Sequence, residues 1–298
     1  MSEEGRLVDI GDTQLYVVER GAGYPLMLLH GGPGLDHRMF GDYLDALTDT
    51  YRLILVDHRG NGRSGRPPET TWTLEQNARD VGLLGDALGL TTYAVLGHSY
   101  GAFVALQHAV DYPGQAAQSI ISSGVPSSRF LMSHVNCSRF LMSHVNEQLA
   151  NFQPAALRQQ VTDSWAREQH AQTQADVAAL LHDQAPFQFR DPFDPRIADY
   201  EARTADAVYS PEVLRKFSTA EYGGIEVEDR LGQVTQPVLV LAGRHDRTCS
   251  VAASEAIVAG IPNAHLVVFE ASAHMTFVEE NERYVATVRA FLNEQRKM

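Results

Sequence analysis

The stretch Leu96-Gly97-His98-Ser99-Tyr100-Gly101 constrains this chain more than any other. An apolar run from Tyr93 to Leu96 leads into it and reads as a short buried strand. Ala102 to Val110 follows and reads as a helix with an apolar face. Gly-x-Ser-x-Gly between a strand and a helix is a sharp turn that holds its serine in a strained backbone conformation. Neighbours on such a turn must be small, and Gly97 and Gly101 meet that need. The turn lifts the hydroxyl clear of the sheet. The helix that starts there aims free N–H groups at negative charge developing nearby.

The flanking chain supplies the sheet that this turn requires. Leu7 to Ile10 and Gln14 to Glu19 read as two short strands joined at Gly11-Asp12. Pro25 to Leu29 is an apolar run ending at His30-Gly31-Gly32-Pro33-Gly34, with a helix expected over Met39 to Leu47. Tyr51 to Val56 reads as a buried strand ending at Asp57-His58-Arg59-Gly60-Asn61-Gly62-Arg63-Ser64-Gly65. That segment contains Gly60-x-Gly62-x-x-Gly65, formally a dinucleotide fingerprint. Pro67 and Pro68 follow at once, so no helix opens on the glycines, and the fingerprint is rejected. The next helix starts at Thr73, where Thr73-Leu74-Glu75-Gln76 resembles a capping box, and stops at Gly89. Gln118 to Ser122 is a further strand. Such alternation of strand and helix argues for an α/β fold with a mostly parallel sheet.

From about Val125 to Gly232 the strand-like runs disappear. Helix-like stretches such as Ala155 to His182 and Pro211 to Phe217 take over, interrupted by Pro186, Pro192 and Pro195. Acids outnumber bases 15 to 8 over residues 147–230. Residues 125–232 are therefore expected to form a helical cap inserted into a core made of residues 1–124 and 233–298. The sheet resumes at Pro237 to Ala242, followed by a helix over Val251 to Ala259, a strand at His265 to Phe269 and a closing helix from Asn281 to Glu294.

At the start of the cap, Ser128 to Asn136 recurs unchanged as Ser138 to Asn146, with Cys137 between. A ten-residue shift falls about 80° short of three helical turns, so the copies cannot show one face. Two copies make no solenoid. The repeat reads as a tandem duplication and suggests no function.

Composition narrows the partners. A formal net charge of -13 argues against nucleic acid and anionic membranes, and would suit a cationic substrate. The two cysteines, Cys137 and Cys249, have no metal-type spacing and fit a reducing compartment. Acidic residues at the start, where a signal peptide would be basic, point to a cytoplasmic protein. No apolar run approaches the roughly 20 residues of a membrane span. A small-molecule or short-peptide substrate is expected, and the sequence is silent on oligomeric state.

Ser99 needs a base, because a serine hydroxyl is a poor nucleophile until an imidazole takes its proton. Among 12 histidines, His274 follows the last strand and so lies at the carboxyl edge of the sheet, beside the serine. The side chain of His98 is expected to face away from that pocket, and His30 and His58 to support loops. The acid should lie between serine and histidine in chain order, and Asp246 directly follows the Pro237–Ala242 strand. The oxyanion hole needs two backbone N–H donors, expected from Tyr100 and from Gly32. No His-Glu-x-x-His or paired-cysteine spacing supports a metal.

With its motifs His30-Gly31-Gly32-Pro33-Gly34, Asp57-x-Arg59-Gly60-x-Gly62-x-Ser64 and Gly97-x-Ser99-Tyr100-Gly101, the chain resembles the α/β-hydrolase superfamily. Within it, it resembles the prolyl iminopeptidase group. The resemblance implies an eight-stranded sheet, a helical cap, a triad in Ser–Asp–His order and no cofactor. It also implies that carboxylates, mostly from the cap, hold the substrate's free amine. Glu201, Glu212, Glu221 and Glu226 are the candidates, with Glu201 and Glu221 the first two to test. Ala273 is a departure, where the group usually has glycine before the histidine. The first reading is a serine hydrolase releasing N-terminal proline from short peptides through an acyl-enzyme. The alternatives are a carboxylesterase or lactonase on the same machinery, and a non-catalytic ligand-binding member of the fold.

Overall fold

A computed structural model describes residues 4–130 and 144–294. Eight strands form one sheet: β1 (Arg6–Asp9), β2 (Gln14–Arg20), β3 (Tyr24–Leu29), β4 (Tyr51–Val56), β5 (Ala94–His98), β6 (Gln118–Ser122), β7 (Val238–Gly243) and β8 (Ala264–Phe269). Their spatial order is β1-β2-β4-β3-β5-β6-β7-β8. The β1–β2 and β2–β4 pairs are antiparallel and every other pair is parallel. Every residue of β5, β6 and β7 is buried, which is why these strands read as unbroken apolar runs and not as alternation.

Alternate residues of each strand feed two cores. Met27, Ile54, Val95 and Val240 pack on one face, against α1 (Leu74–Ala87) and α2 (Tyr100–Asp111). Leu28, Leu55, Leu96 and Leu241 pack on the other, with Tyr284, Val288 and Leu292 of the C-terminal helix Asn281–Glu294. Helix α2 is buried over Tyr100–Val110, so it is held rigidly beneath the loops it opens on.

Between β6 and β7 lie α3 (His144–Asn151), α4 (Ala155–Glu168), α5 (Gln174–Gln188), α6 (Arg196–Arg203) and α7 (Pro211–Ser218). They carry a small core of their own around Val161, Trp165 and Phe187. The helices α8 (Val251–Gly260), α9 (Thr276–Glu279) and α10 (Asn281–Glu294) complete the order. Among the described residues no helix is long and apolar enough to cross a membrane.

This helical segment is bonded to the loops above the sheet. Ser210 N–H donates to Gly34 O at 2.9 Å, and Ser210 Oγ accepts from Gly62 N–H at 3.1 Å. The Arg247 guanidinium donates to the carbonyls of Phe187, Phe189 and Arg190 at 3.1, 2.6 and 2.9 Å. His274 N–H donates to Gln188 O at 3.0 Å.

Three local expectations change. No α-helix forms over Met39–Leu47. Short 3₁₀ turns stand at His37–Phe40 and Asp45–Leu47, separated by Gly41 at φ 50°, which ends the first turn. Pro186 does not break its helix but lies within the last turn of α5, where the chain leaves the helix after Gln188. The break in Ala155–His182 comes instead at Thr173, which caps α5 in a reciprocal box with Asp176. Of the repeated nonapeptide, Ser128–Phe130 form a 3₁₀ turn and His144–Asn146 begin α3. The rest of the repeat, with Cys137, lies outside the described residues.

Candidate active site

Ser99 joins β5 to α2 with φ 55° and ψ −121°, a left-handed conformation that a residue with a side chain adopts only under constraint. The constraint is close packing. A Cβ on Gly97 would stand 1.9 Å from Gly101 O, and one on Gly101 would stand 2.0 Å from Leu29 O. Only glycine fits at either position. Ser99 N–H donates to Ser122 O at 2.9 Å, and Ser99 O accepts from Ala102 N–H at 2.8 Å, which ties the turn to β6 and to the helix.

Asp246 follows β7 and His274 follows β8, and parallel neighbours bring the two loops together at the carboxyl edge of the sheet. His274 Nδ1 lies 2.8 Å from Asp246 Oδ2. The other carboxylate oxygen, Oδ1, accepts from the N–H of Thr248 and Cys249 at 2.8 and 2.9 Å and from the Thr248 hydroxyl at 2.8 Å. Burial alone would raise the pKa of Asp246. His274 and the hydrogen bonds outweigh it and hold the carboxyl down at about 2. An ionised Asp246 takes the Nδ1 proton of His274 as its partner and leaves Nε2 with a lone pair. Ser99 and His274 border one cavity of about 420 Å³.

Tyr100 opens α2, so its N–H belongs to the first turn and has no intrahelical acceptor. Its phenol is buried and accepts from Asn77 Nδ2 at 3.0 Å. Gly31 packs against Ser99: a Cβ there would meet Ser99 Cβ at 3.1 Å. Gly31 N–H is bonded to Met39 Sδ at 3.0 Å. Gly32, at φ 114°, borders the cavity and takes a backbone conformation that suits glycine.

His98 also borders the cavity, contrary to expectation, with its ring centroid 5.0 Å from that of His274. The loop after β8 folds over the end of β5 and makes this contact. Burial pushes the His98 pKa well below the usual imidazole range, and its Nδ1 lies 3.1 Å from Ser122 Oγ. It is a neutral wall. His30 and His58 support loops: His58 N–H donates to His30 Nε2 at 3.2 Å. The Gly60–Gly65 loop closes on itself through Gly60 N–H to Gly65 O at 3.0 Å, and no helix opens on it.

The candidate carboxylates for an amine fall in different places. Glu201 borders the cavity, with Oε1 2.7 Å from His182 Nδ1 on a partly exposed rim. Glu221 lies in a 3₁₀ turn, and its side chain is outside the described residues. Glu212 pairs with Arg66 at 3.0 Å, and Glu226 accepts from Ser127 Oγ at 2.8 Å, both away from the cavity wall.

Sequence reasoning passed over Glu168, which borders the cavity with 4% exposure. Gln184 Nε2 donates to its Oε1 at 2.8 Å and the Tyr222 hydroxyl to its Oε2 at 2.6 Å. No cationic side chain among the described residues pairs with it, and burial raises its pKa. Tyr222 reaches it from a left-handed backbone, φ 51° and ψ 37°. A signal was present in the sequence. Val161, Ser164, Trp165 and Glu168 share the i, i+3, i+4, i+7 face of α4, so a carboxylate continues its buried stripe.

Among the described residues, two clusters hold groups of metal-ligating type within 4.8 Å of one another: Asp246, Cys249 and His274, and Asp36, His37 and Asp57. In each, imidazole and carboxylate already bond one another, at 2.8 and 2.6 Å.

The chain belongs to the α/β hydrolase fold family, whose sequence profile matches residues 24–281, and it is a hydrolase. It is similar to the proline iminopeptidase of Lactiplantibacillus plantarum, 30% identical over 273 residues that cover 90% of this chain and 91% of that one. The proline iminopeptidase of Clostridium botulinum is 28% identical over 278 residues, covering 90% and 89%. Among solved structures, proline iminopeptidase from Mycobacterium smegmatis matches with a TM-score of 0.74 at 27% identity and 98% coverage of both chains. An esterase from Exiguobacterium antarcticum shares the fold, with a TM-score of 0.74 at 23% identity over 97% of this chain and all of that one.

Proposed function

We propose that the chain is a serine hydrolase that releases N-terminal proline from short peptides through an acyl-enzyme. Residues 125–232 serve as its cap. The observation that carries the reading is Glu168, a buried carboxylate without a cationic partner on the wall of the cavity that Ser99 faces. A buried charge is stable only when paired, and a substrate's free imino group in its charged form supplies that pair. Gln184 and Tyr222 donate to the carboxylate and leave it directed at the amine. Glu201 at the rim and Glu221 remain further candidates for the same task.

In this reading Ser99 Oγ attacks the carbonyl of the N-terminal residue while His274 Nε2 takes its proton. Tyr100 and Gly32 N–H groups bind the oxyanion, His274 protonates the departing amine, and water releases the acyl group. Resemblance to the proline iminopeptidases supports the choice of substrate. The second reading is an ester-cleaving enzyme on the same machinery, favoured by the apolar walls that Trp165, Phe189 and Leu214 give the cavity. Free proline p-nitroanilide compared with its N-acetylated form decides between them. Cleavage of the free form alone is expected. Equal rates, or cleavage of acyl esters alone, reject the aminopeptidase. Ser99→Ala should lower either activity by several orders of magnitude, and a variant that keeps a tenth of the activity removes Ser99 as nucleophile.

A further inference from the structure

We propose that the Thr248 hydroxyl is a second acceptor for the Nδ1–H of His274, and so a positioning residue that fixes the tautomer the base needs. The inference rests on the reading of Ser99, Asp246 and His274 given above. Thr248 stands between β7 and α8, two residues after Asp246 and beside the cavity. Its Oγ1 is 2.8 Å from Asp246 Oδ1 and 2.8 Å from His274 Nδ1, while Nδ1 is 2.8 Å from Asp246 Oδ2. Three groups therefore meet in one small ring of contacts, with only two protons to share.

The proton count assigns the directions. Thr248 has one O–H, and the stronger acceptor within reach is the ionised Asp246. Its hydrogen goes to Oδ1, and its lone pairs then face Nδ1. An Nδ1 without a proton would set two lone-pair-bearing oxygens against a lone pair. The proton therefore resides on Nδ1, shared between Asp246 Oδ2 and Thr248 Oγ1, and Nε2 is left free to accept from Ser99. The reverse arrangement, in which Thr248 donates to Nδ1, would abandon the carboxylate and place the imidazole proton on Nε2. Thr248 N–H, also on Oδ1, holds the threonine backbone against the same carboxylate oxygen. When the imidazole takes the serine proton, the positive ring finds two acceptors at Nδ1 in place of one.

Thr248→Val keeps the shape and removes the hydroxyl. It should lower kcat about tenfold, roughly the worth of one hydrogen bond, and leave KM unchanged on the best substrate found above. Thr248→Ser should restore kcat. Titration of Ser99 with a fluorophosphonate counts folded sites in each variant, so kcat is read per intact site. In an Asp246→Ala background no carboxylate holds the threonine hydrogen off Nδ1, so adding Thr248→Val should cost no further activity. Wild-type kcat in Thr248→Val overturns the proposal. So does a loss that serine does not restore, or an Asp246→Ala enzyme that Thr248→Val slows tenfold further. Failure of the triad itself would show separately, as activity surviving Ser99→Ala.

Discussion

Asp246 and Glu168 are both buried carboxylates, and their surroundings push them in opposite directions. Asp246 has His274 and backbone donors and is held at about 2 against an ordinary 3.8. Its ionised form thus stabilises the fold fully above pH 3.8, and that contribution is lost as pH falls toward 2. Asp246→Asn should flatten the stability profile across this window, followed by urea midpoints at successive pH values. It should also lower turnover by about 10⁴-fold through the wrong tautomer. Glu168 has only neutral donors, and burial raises its pKa above 4.5. There the sign reverses: the folded state holds the proton more tightly, so stability falls as pH rises from 4.5 through the folded value. Glu168→Gln should therefore melt higher than wild type at neutral pH and show no such gain at pH 4. The same variant should raise KM for prolyl amides and leave acyl ester cleavage unchanged. A neutral-pH melting point equal to wild type, or equal KM, would contradict this account of Glu168.

Among the elements, the β5–α2 turn is the least tolerant of change. Gly97→Ala or Gly101→Ala sets a methyl into backbone at 1.9 or 2.0 Å, where no rotamer can relieve the clash. Each should cost about 3 kcal/mol, measured by urea unfolding, and an unchanged midpoint would refute the packing argument. Strands such as β5 and β7 were legible in the sequence because burial on both faces makes their apolar runs continuous. The Thr73 cap of α1 was legible as well, with Thr73 Oγ1 accepting from Gln76 N–H at 3.1 Å. What escaped depends on distant partners. Glu168 becomes a buried site only because Tyr222, 54 residues on, turns its hydroxyl inward. His98 reaches the cavity edge because the loop after β8 folds over it, a contact that strand alternation cannot reveal. The α-helix expected over Met39–Leu47 failed at Gly41, whose conformation is set by the loop it closes.

At the scale of the molecule, the helical segment between β6 and β7 is bonded to both loops of the proposed acid–base pair. Arg247 beside Asp246 holds the carbonyls of Phe187, Phe189 and Arg190, and Glu279 accepts from Arg190 N–H at 2.8 Å and from Ala273 N–H at 2.7 Å. The segment that roofs the cavity thus also fixes the loops that carry Asp246 and His274. Arg247→Gln should lower turnover on esters and amides alike, unlike Glu168→Gln, which should separate them. Parallel losses in kcat on both substrates would support this clamp, and a loss confined to the amide would refute it.

The bond from Ser210 N–H to Gly34 O has its own consequence. Gly34 lies two residues from Gly32, so the loop that carries the proposed oxyanion donor is tied to the helical segment between β6 and β7. On the proposed peptidase reading, a peptide too long for the cavity should strain this bond and shift Gly32 away from the carbonyl. Such a peptide should occupy the site uncut. Long proline-led peptides should then compete with short ones without being consumed, and their cleavage at the rate of short ones would refute this coupling.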